Sequence, residues 1–538
     1  MLQLLNHILL SYVCIVTISL FLRKGASGVL NAVIKRIRDF PGVDTIIDVL
    51  LATKVRDFVR QIDRTDESQV ASRPVAVRIP EKGIPHEQLL VEMHNLKGRE
   101  VKLEDGRVFA YVYTSEGEHY DCIQRAYELF SEGTAAGECH DGLVGEFSRA
   151  FMHENALNPM IFPALRKFEN ETVAMTASML HGDHNVVGLL TSGGSESILL
   201  AVKTYRDRAR TLFPHITNPE IVAPITVHPA FVKAAKYFDV KIVHTPLDDN
   251  FCPNLGLYKA AITPNTILLV ASAPQYCHGI VDPIDKIGKI ANEFGLPLHV
   301  DACFGGFMLP WVEKLGYEVP IFDFRVAAVT SMSADIHKYG FGLKGSSVLL
   351  YRSNDIRKYQ YFAYSEWPGG LFASPGLAGT RPGANIASSW AALRSMGVDG
   401  YMRNAQQLMN TTNKMKSTIE DIKGLCIIGQ PHMTSFAIRS NDPDVDILAV
   451  AEVMESQGWK MERQQLPNCL HCSVLPHHIP HTDKFLAALT QAADTVRGNR
   501  EFSTKGLAGV YGMVAKMPDK TLINDFLIQF FSEVYTTK

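Results

Sequence analysis

The sequence of 538 residues has little cysteine, almost no net charge, and neither internal repeats nor low-complexity tracts. Nine cysteines are too few for a disulfide framework, and most lie in apolar runs such as LHVDACFGGF, where a thiol behaves as a small hydrophobic group. A reducing compartment is therefore indicated. The 53 basic and 56 acidic residues give a formal charge of −3, so no nucleic-acid partner is expected.

One apolar run stands apart from this ordinary composition. The segment ILLSYVCIVTISLFL, from Ile8 to Leu22, carries no charge and is followed at once by Arg23 and Lys24. About 20 apolar residues cross a bilayer as a helix, and flanking positive charge stays in the cytosol, so residues 1–24 are predicted to form a transmembrane anchor. A cleaved signal peptide is the alternative, but such peptides carry their charge before the apolar run.

The remaining chain is predicted to contain a large α/β domain, a smaller one and two helical segments. Residues 25–100 form an amphipathic linker and helical segment, which could lie on the membrane, pack on the body or contact a second subunit. Residues 101–386 form the large domain, because short apolar runs alternate with helical patterns as in parallel βαβ units. Residues 387–503 form the smaller α/β domain, and residues 504–538 a helical tail.

The large domain has a candidate anion site in TSGGSESILLA. A predicted strand ends at Thr191, Gly193 and Gly194 allow a tight turn, and a helix begins near Ser195. The free amides and the dipole of a helix start attract a phosphate. A simple connection between strand and helix is the alternative, and a nucleotide P-loop is excluded because GKS or GKT is missing.

Three further residues come at or just after the ends of predicted strands. His228 follows APITV, where it could stack on a flat cofactor or form a hydrogen bond at a helix start. Asp301 ends the apolar strand LHVD, and a buried carboxylate needs a cationic partner, such as a protonated pyridine nitrogen, an arginine or a metal. Lys338, in SADIHKYG, could form an imine with an aldehyde if burial and nearby positive charge lower its pKa, or be a solvated surface lysine.

These features occur in the order that a pyridoxal phosphate site requires: a phosphate cradle, a stacking histidine, an acid for the ring nitrogen and a lysine. A zinc site is not expected. Cys469 and Cys472 have the C-x-x-C spacing, but they fall on a predicted buried strand, where residues three apart face opposite sides.

From about Val101 onward, the chain resembles the sphingosine-1-phosphate lyase family. That family has the fold-type I α/β architecture of pyridoxal-phosphate-dependent transferases and belongs to the group II decarboxylase superfamily. The motifs that carry the resemblance are SADIHKYG, KGSSVLLY, LHVDACFGGF, LTSGGSES, SPGLAGTRPG and AALRSMGVDGY. The resemblance implies an obligate homodimer in the endoplasmic reticulum membrane, with its catalytic body in the cytosol.

The resemblance also implies roles for individual residues. Lys338 would carry pyridoxal 5'-phosphate, with Asp301 on its ring nitrogen and His228 stacked on its ring. Its phosphate would be held by Gly193, Gly194, Ser195 and His337, and by Gly379 and Thr380 of the neighbouring subunit. Tyr113, Asn155 and Lys344 would surround the head group of a phosphorylated long-chain base.

The sequence departs from the family pattern after Asn155. The usual Asn-Pro-Leu-His reads Asn155, Ala156, Leu157 and Asn158, so an amide replaces a histidine that faces the substrate phosphate in the family. The predicted reaction is retro-aldol cleavage of the bond between C2 and C3, which gives a long-chain aldehyde and phosphoethanolamine. The alternatives are an amino-acid decarboxylase with the same cofactor residues, and a catalytically weak regulatory protein that keeps the fold.

Overall fold

The computed structural model describes residues 46, 49, 52–55, 77–98, 140–499 and 521–536. The chain divides into two compact units, residues 1–75 and 76–538. In the first unit the described residues are helical and exposed. The predicted anchor at residues 1–24 lies outside the described residues, and within these residues no helix has both the length and the apolar character that crossing a membrane requires.

The second unit is built on a seven-stranded sheet with the order β1-β7-β6-β5-β4-β2-β3. Its strands are β1 (Val187–Thr191), β2 (Glu220–Pro224), β3 (Lys241–Thr245), β4 (Thr266–Ser272), β5 (Leu298–Asp301), β6 (Val329–Ala334) and β7 (Ser347–Tyr351). Every residue of β2, β4, β5 and β7 is buried, as expected for strands covered by helices on both faces. The predicted α/β fold is confirmed.

Two details of this sheet differ from the sequence-based expectation of a parallel sheet. Strand β7 runs antiparallel to both β1 and β6, and residues 335–346, which connect β6 to β7, contain no helix of the kind that usually makes a parallel crossover. Strand β2 ends at Pro224, four residues before His228, so the predicted strand APITVHP begins and ends too late.

Helices cover both faces of the sheet and connect its strands. In chain order they are α1 (His86–Lys97), α2 (His140–Ala150), α3 (Pro163–Met179), α4 (Gly194–Leu212), α5 (Pro229–Phe238), α6 (Leu255–Ala260), α7 (Ile284–Phe294), α8 (Leu309–Lys314) and α9 (Asn354–Arg357). A two-stranded hairpin, β8 (Phe362–Tyr364) with β9 (Phe372–Ser374), follows α9.

The long helix α10 (Gly383–Asp421) connects the large sheet to a smaller antiparallel one. The predicted domain limit at residue 387 falls in its second turn, and the helix kinks at Gly397, whose φ is 61°. A Cβ at Gly397 would lie 2.3 Å from the backbone nitrogen of Gly83, so glycine is required where this segment crosses the kink.

The smaller sheet has the order β10-β11-β13-β12, with β10 (Leu425–Ile427), β11 (Ser435–Ser440), β12 (Glu462–Gln464) and β13 (Cys469–Ser473). It is accompanied by α11 (Ile447–Ser456), a 3₁₀ helix (Pro476–His481) and α12 (Thr482–Val496). A last helix, α13 (Thr521–Val534), lies within the segment for which a helical tail is predicted.

Candidate active site

The predicted site residues meet at one edge of the large sheet. Strands β1, β5 and β6 run in the same direction, so their carboxyl ends lie at the same edge. Asp301 ends β5, and Asp301 pairs in register with Ser333, near the end of β6. In open α/β sheets this edge is where ligands bind.

The turn after β1, the predicted anion cradle, has two positions that favour glycine at the start of helix α4. Gly193 is the N-cap of α4 with φ 146° and ψ 170°, a conformation that favours glycine. A Cβ at Gly194 would lie 2.8 and 2.9 Å from the carboxylate oxygens of Asp335 and 2.9 Å from Sγ of Cys303, so that position also requires glycine. The ring of His337 lies beside Gly193, 3.5 Å from where its Cβ would be.

Lys338 is half-buried and lies between a carboxylate and an aromatic ring. Its Nζ is 3.0 Å from Oδ2 of Asp335 and 5.4 Å from the ring centre of Phe304. Burial is the largest single influence and lowers the pKa of the Lys338 amine, but Asp335, with smaller contributions from Cys303 and Asp301, outweighs it, and the net pKa is raised. The expectation of a lowered pKa is therefore wrong, because the nearest charge is negative.

His337 is held in one tautomer. Its Nδ1 accepts a hydrogen bond from the backbone N–H of Ser346 at 3.2 Å, so a neutral ring carries its proton on Nε2, which lies 3.5 Å from Oδ2 of Asp335. Burial, together with the amines of Lys344 and Lys338, lowers the pKa of His337 despite the Asp335 charge. The exposed Lys344 amine donates to the carbonyl of His337 at 3.2 Å.

Asp301 is anchored at the end of β5 by a buried polar network. Its Oδ1 accepts from the backbone N–H of Cys303 at 3.1 Å and from the hydroxyl of Ser333 at 3.3 Å. The ring of His299 bonds Ser331 at 2.8 Å and Ser333 at 3.3 Å. Burial lowers the pKa of His299 to about 4, so this imidazole is neutral at neutral pH and adds no charge near Asp301.

His228 begins helix α5. Its Nδ1 accepts from the backbone N–H of Ala230 at 3.1 Å, which is the helix-start role considered from the sequence. Its ring is exposed at the same sheet edge, and stacking on a cofactor remains a prediction.

Asn155 and Thr380 belong to a second network, which holds the AGTRPG loop. Oδ1 of Asn155 accepts from the backbone N–H groups of Leu157 at 2.9 Å and Arg381 at 3.2 Å, and its Nδ2 donates to Oγ1 of Thr380 at 3.3 Å. The guanidinium of Arg381 forms two bonds to the carboxylate of Glu169, at 2.6 and 3.0 Å. Asn155 is only 4% exposed, and its amide is engaged within the chain.

The contacts thus assemble most of the predicted residues into two groups. The first comprises Gly193, Gly194, Asp301, His337, Lys338 and Lys344, and the second Asn155 and Thr380. Ser195 is exposed in the first turn of α4, Gly379 has no atom within 4 Å of a Cβ position, and Tyr113 lies outside the described residues.

Sequence reasoning missed two residues that contact Lys338. Asp335 precedes it by three positions, but these residues form a turn rather than a helix, so the i, i+3 rule for helices does not indicate the ion pair. Phe304 lies 34 positions earlier, after β5, and no local pattern brings it to Lys338.

The residues at the sheet edge fit pyridoxal phosphate. A half-buried lysine, an anion cradle and a strand-end carboxylate supply the three groups that its aldehyde, phosphate and ring nitrogen require. The hydrogen bonds to Asp301 described above go to Oδ1, which leaves Oδ2 for another donor. Within the described residues, Oδ1 of Asp335 is buried without a hydrogen-bond partner, so a donor from a ligand could satisfy it.

Comparison with known proteins agrees with this geometry. The pyridoxal-dependent decarboxylase conserved domain matches residues 124–440. The chain is 39% identical to a sphingosine-1-phosphate lyase of Oryza sativa over 502 residues, covering 92% of this chain and 87% of the relative. It is 42% identical to one of Arabidopsis thaliana over 408 residues, covering 75% of this chain and 74% of the relative.

A solved structure indicates the same family. The sphingosine-1-phosphate lyase of Burkholderia pseudomallei superposes with a TM-score of 0.65 at 34% identity, covering 84% of this chain and 99% of the other. The resemblance found in the motifs is therefore confirmed over most of the chain, and this protein belongs to the sphingosine-1-phosphate lyase family of pyridoxal-dependent enzymes.

Proposed function

We propose that the chain is a pyridoxal-phosphate-dependent lyase of sphingolipid catabolism. It cleaves the C2–C3 bond of phosphorylated sphingoid bases, such as sphinganine-1-phosphate, to a long-chain aldehyde and phosphoethanolamine. The observation that carries the proposal is that Asp301 ends β5 and Lys338 follows the adjacent, parallel strand β6, in a chain more than 30% identical to named lyases.

The residues divide the work of holding the cofactor. Lys338 holds it covalently, Asp301 faces its ring nitrogen, and His228 stacks on its ring. Its phosphate lies in the cradle formed by Gly193, Gly194, Ser195 and His337. When bound, the cofactor supplies an electron sink for the C2–C3 cleavage.

The chain's own groups prepare this chemistry. Asp335 orients the Lys338 amine by a contact of 3.0 Å. Two donors hold Oδ1 of Asp301, which leaves its Oδ2 for the ring nitrogen of the cofactor. His337 keeps a proton on Nε2, where it can donate to a phosphate oxygen. These groups need little reorganisation when substrate binds.

Substrate recognition is assigned to Tyr113, Asn155 and Lys344. Lys344 can attract a phosphate as a point charge, since its amine is exposed and lies next to His337. The side-chain amide of Asn155 already bonds Thr380 and Arg381 of the AGTRPG loop, so part of its contribution to substrate binding is to position that loop.

The active unit is a homodimer in which Gly379 and Thr380 reach the partner's cofactor phosphate. The hairpin β8–β9 supports this assembly, because it presents an apolar surface just before these residues. Leu371 is 88% exposed, and Phe362 and Trp367 are more than half exposed. We expect Leu371→Asp to shift the protein towards the monomer in sedimentation velocity, whereas a dimer unaffected by this change would contradict the placement.

Residues 1–24 anchor the enzyme in the endoplasmic reticulum membrane, with the body in the cytosol. The support is the uncharged run from Ile8 to Leu22 followed by Arg23 and Lys24, together with a substrate whose tail partitions into bilayers. Protease protection of tagged full-length chain in microsomes tests this placement. A body protected inside the vesicles would contradict it.

The activity is tested by incubating the full chain with pyridoxal phosphate and sphinganine-1-phosphate and measuring the fatty aldehyde. Lys338→Ala should abolish aldehyde formation, and borohydride reduction followed by peptide mapping should place the cofactor on Lys338. Release of CO2 from glutamate or an aromatic amino acid, with no aldehyde formed from the lipid, would instead assign the chain as a decarboxylase. A cofactor-loaded chain without either activity would assign it as a regulatory protein.

A further inference from the structure

An apolar cavity lies next to the Lys338 site, and its residues take no part in the proposed binding of the cofactor or the substrate head group. It has a volume of about 300 Å³, which is at the lower end of the range of small-molecule pockets. Its apolar lining comes from Met415, Trp459, Met461, Val474 and Phe485. Val474 and Phe485 are buried, and the other three belong to or pack against the main hydrophobic core.

Three rings connect this cavity to the lysine. Tyr276 and His471 both line the cavity and stack on each other, with ring centres 4.3 Å apart and planes within 22°. Both also contact Phe304, at 5.6 and 6.0 Å between ring centres. Because the Lys338 amine lies 5.4 Å from the centre of that same Phe304 ring, the cavity begins one aromatic layer away from the reacting position.

The inner wall of the cavity carries no charge at neutral pH. Burial lowers the pKa of His471 to about 4, so its ring is neutral, and its Nε2 bonds the hydroxyl of Ser473 at 2.6 Å. Among the other basic and acidic side chains of the lining, Lys460, Glu462 and His481 are exposed, and His478 is half-buried with its pKa lowered by burial. This arrangement favours an aliphatic chain over a charged or strongly polar group.

We propose that this cavity binds the aliphatic tail of the long-chain base, beginning a few carbons beyond the bond that is cleaved. The inference rests on the proposed lyase function and extends it by locating the determinant of chain-length preference. The tail would pass along the Tyr276 ring and enter between Met461, Val474 and Phe485, and the aldehyde product would leave by the same route.

The test compares substrates of different tail length. Burying one methylene changes binding by about 0.8 kcal/mol, which is about fourfold, so kcat/KM of the wild type should rise by about that factor per added carbon until the cavity is full. Met461→Trp reduces the volume of the cavity and should lower kcat/KM for long-tailed substrates about fourfold for each methylene that it excludes. Cleavage of a phosphorylated base with a tail too short to reach the cavity should remain within about twofold of the wild type.

Met179→Trp is the matched control. Met179 is also half-buried against the core, but it lines a separate cavity of about 630 Å³ beside Arg78 and Arg325. Chain-length preference should remain at the wild-type value in this variant. Equal losses on short and long substrates in Met461→Trp, or an unchanged preference, would overturn the proposal.

A second measurement does not depend on turnover or on a substituted chain. The wild-type holoenzyme is photolysed with a phosphorylated sphingoid base that carries a diazirine at the tail end, and the labelled peptides are mapped. Label within residues 459–485, or on Tyr276 or Met415, supports the proposal, and label confined to segments that do not line the cavity overturns it. If the wild type does not measurably cleave even the short substrate, the lyase function is contradicted. The position of the label tests the tail site independently of that result.

Discussion

Replacing Asp335 by asparagine removes the negative charge nearest to the reactive amine while keeping the shape of the side chain. Asp335 is 2% exposed, and its Oδ2 lies 3.0 Å from Nζ of Lys338. A charge at such a distance shifts a pKa by about 1–3 units. Burial already lowers the pKa of this amine, so without the carboxylate we expect the pKa of Lys338 to fall by that amount.

The assay follows covalent attachment of pyridoxal phosphate to the cofactor-free chain across a pH series. Only the neutral amine attacks an aldehyde, and each pKa unit changes its fraction about tenfold when the pH is well below the pKa. The rise in initial rate with pH should therefore begin about 1–3 pH units lower in Asp335→Asn than in the wild type. An unchanged onset, or one moved to higher pH, would refute the charge argument.

Asp207→Asn is the control for this experiment. Asp207 forms a comparable pair with Lys203, at 3.2 Å and four positions apart on helix α4, and it should leave the Lys338 profile unchanged. The pH dependence of the free energy of unfolding, compared between the wild type and Asp335→Asn, independently checks the direction of the Lys338 pKa shift. Because the folded pKa of Lys338 is raised, the pair's contribution is fully present below the unfolded lysine pKa of about 10.4 and is lost as the pH rises through the folded value.

Three further substitutions test other parts of the site. Gly194→Ala should destabilise the fold by about 1–3 kcal/mol in urea unfolding, because the new methyl overlaps two carboxylate oxygens and a thiol. The control Gly142→Ala, where the new methyl meets nothing within 4 Å, should increase the free energy of unfolding by about 0.5–1 kcal/mol. Asp282 is buried and accepts from the backbone N–H of Ser272, the last residue of β4, at 2.7 Å. Burial raises its pKa from 3.8 to about 7, so wild-type stability should fall as the pH rises through this range, by up to about 4 kcal/mol relative to Asp282→Asn. A parallel pH dependence of the two proteins would contradict this. Arg381→Lys replaces a two-point contact with Glu169 by a single one and should cost about 1–3 kcal/mol, measured as a lower unfolding midpoint.

The sequence predicts those parts of the fold that depend on local pattern. Apolar runs identified the strands of the large sheet, and the position of Asp301 and Lys338 after two of these runs predicted that they meet at one edge. The direction of β7 and the end of β2 at Pro224 were predicted less well. Neither is given by the apolar pattern, which specifies that a segment is a buried strand but not its direction or its last residue.

The electrostatics of the site could not be predicted in the same way. The sign of the pKa shift at Lys338 depends on which charge lies nearest, and only the folded chain brings Asp335 rather than a cation to 3.0 Å. The hold of Asn155 on Thr380 joins residues 225 positions apart, so no sequence window contains it. Pairs of this kind lie outside any local motif, whereas the candidate residues Asp301 and Lys338 each lie within one.

The amide at position 158 departs from the family pattern, and its effect on substrate affinity can be measured. In the structure, Oδ1 of Asn158 accepts from the backbone N–H of Met160 at 3.0 Å, so the side chain stabilises its own turn. A histidine there could donate to a substrate phosphate, and a hydrogen bond to a charged group contributes about 1.5–3 kcal/mol, which corresponds to a KM lower by roughly 10- to 150-fold. We therefore expect Asn158→His to lower KM for sphinganine-1-phosphate with little change in kcat, and to leave the unphosphorylated base unaffected. An unchanged KM would mean that other groups already satisfy the phosphate, so that the substitution carries no catalytic cost and the regulatory alternative loses its main support.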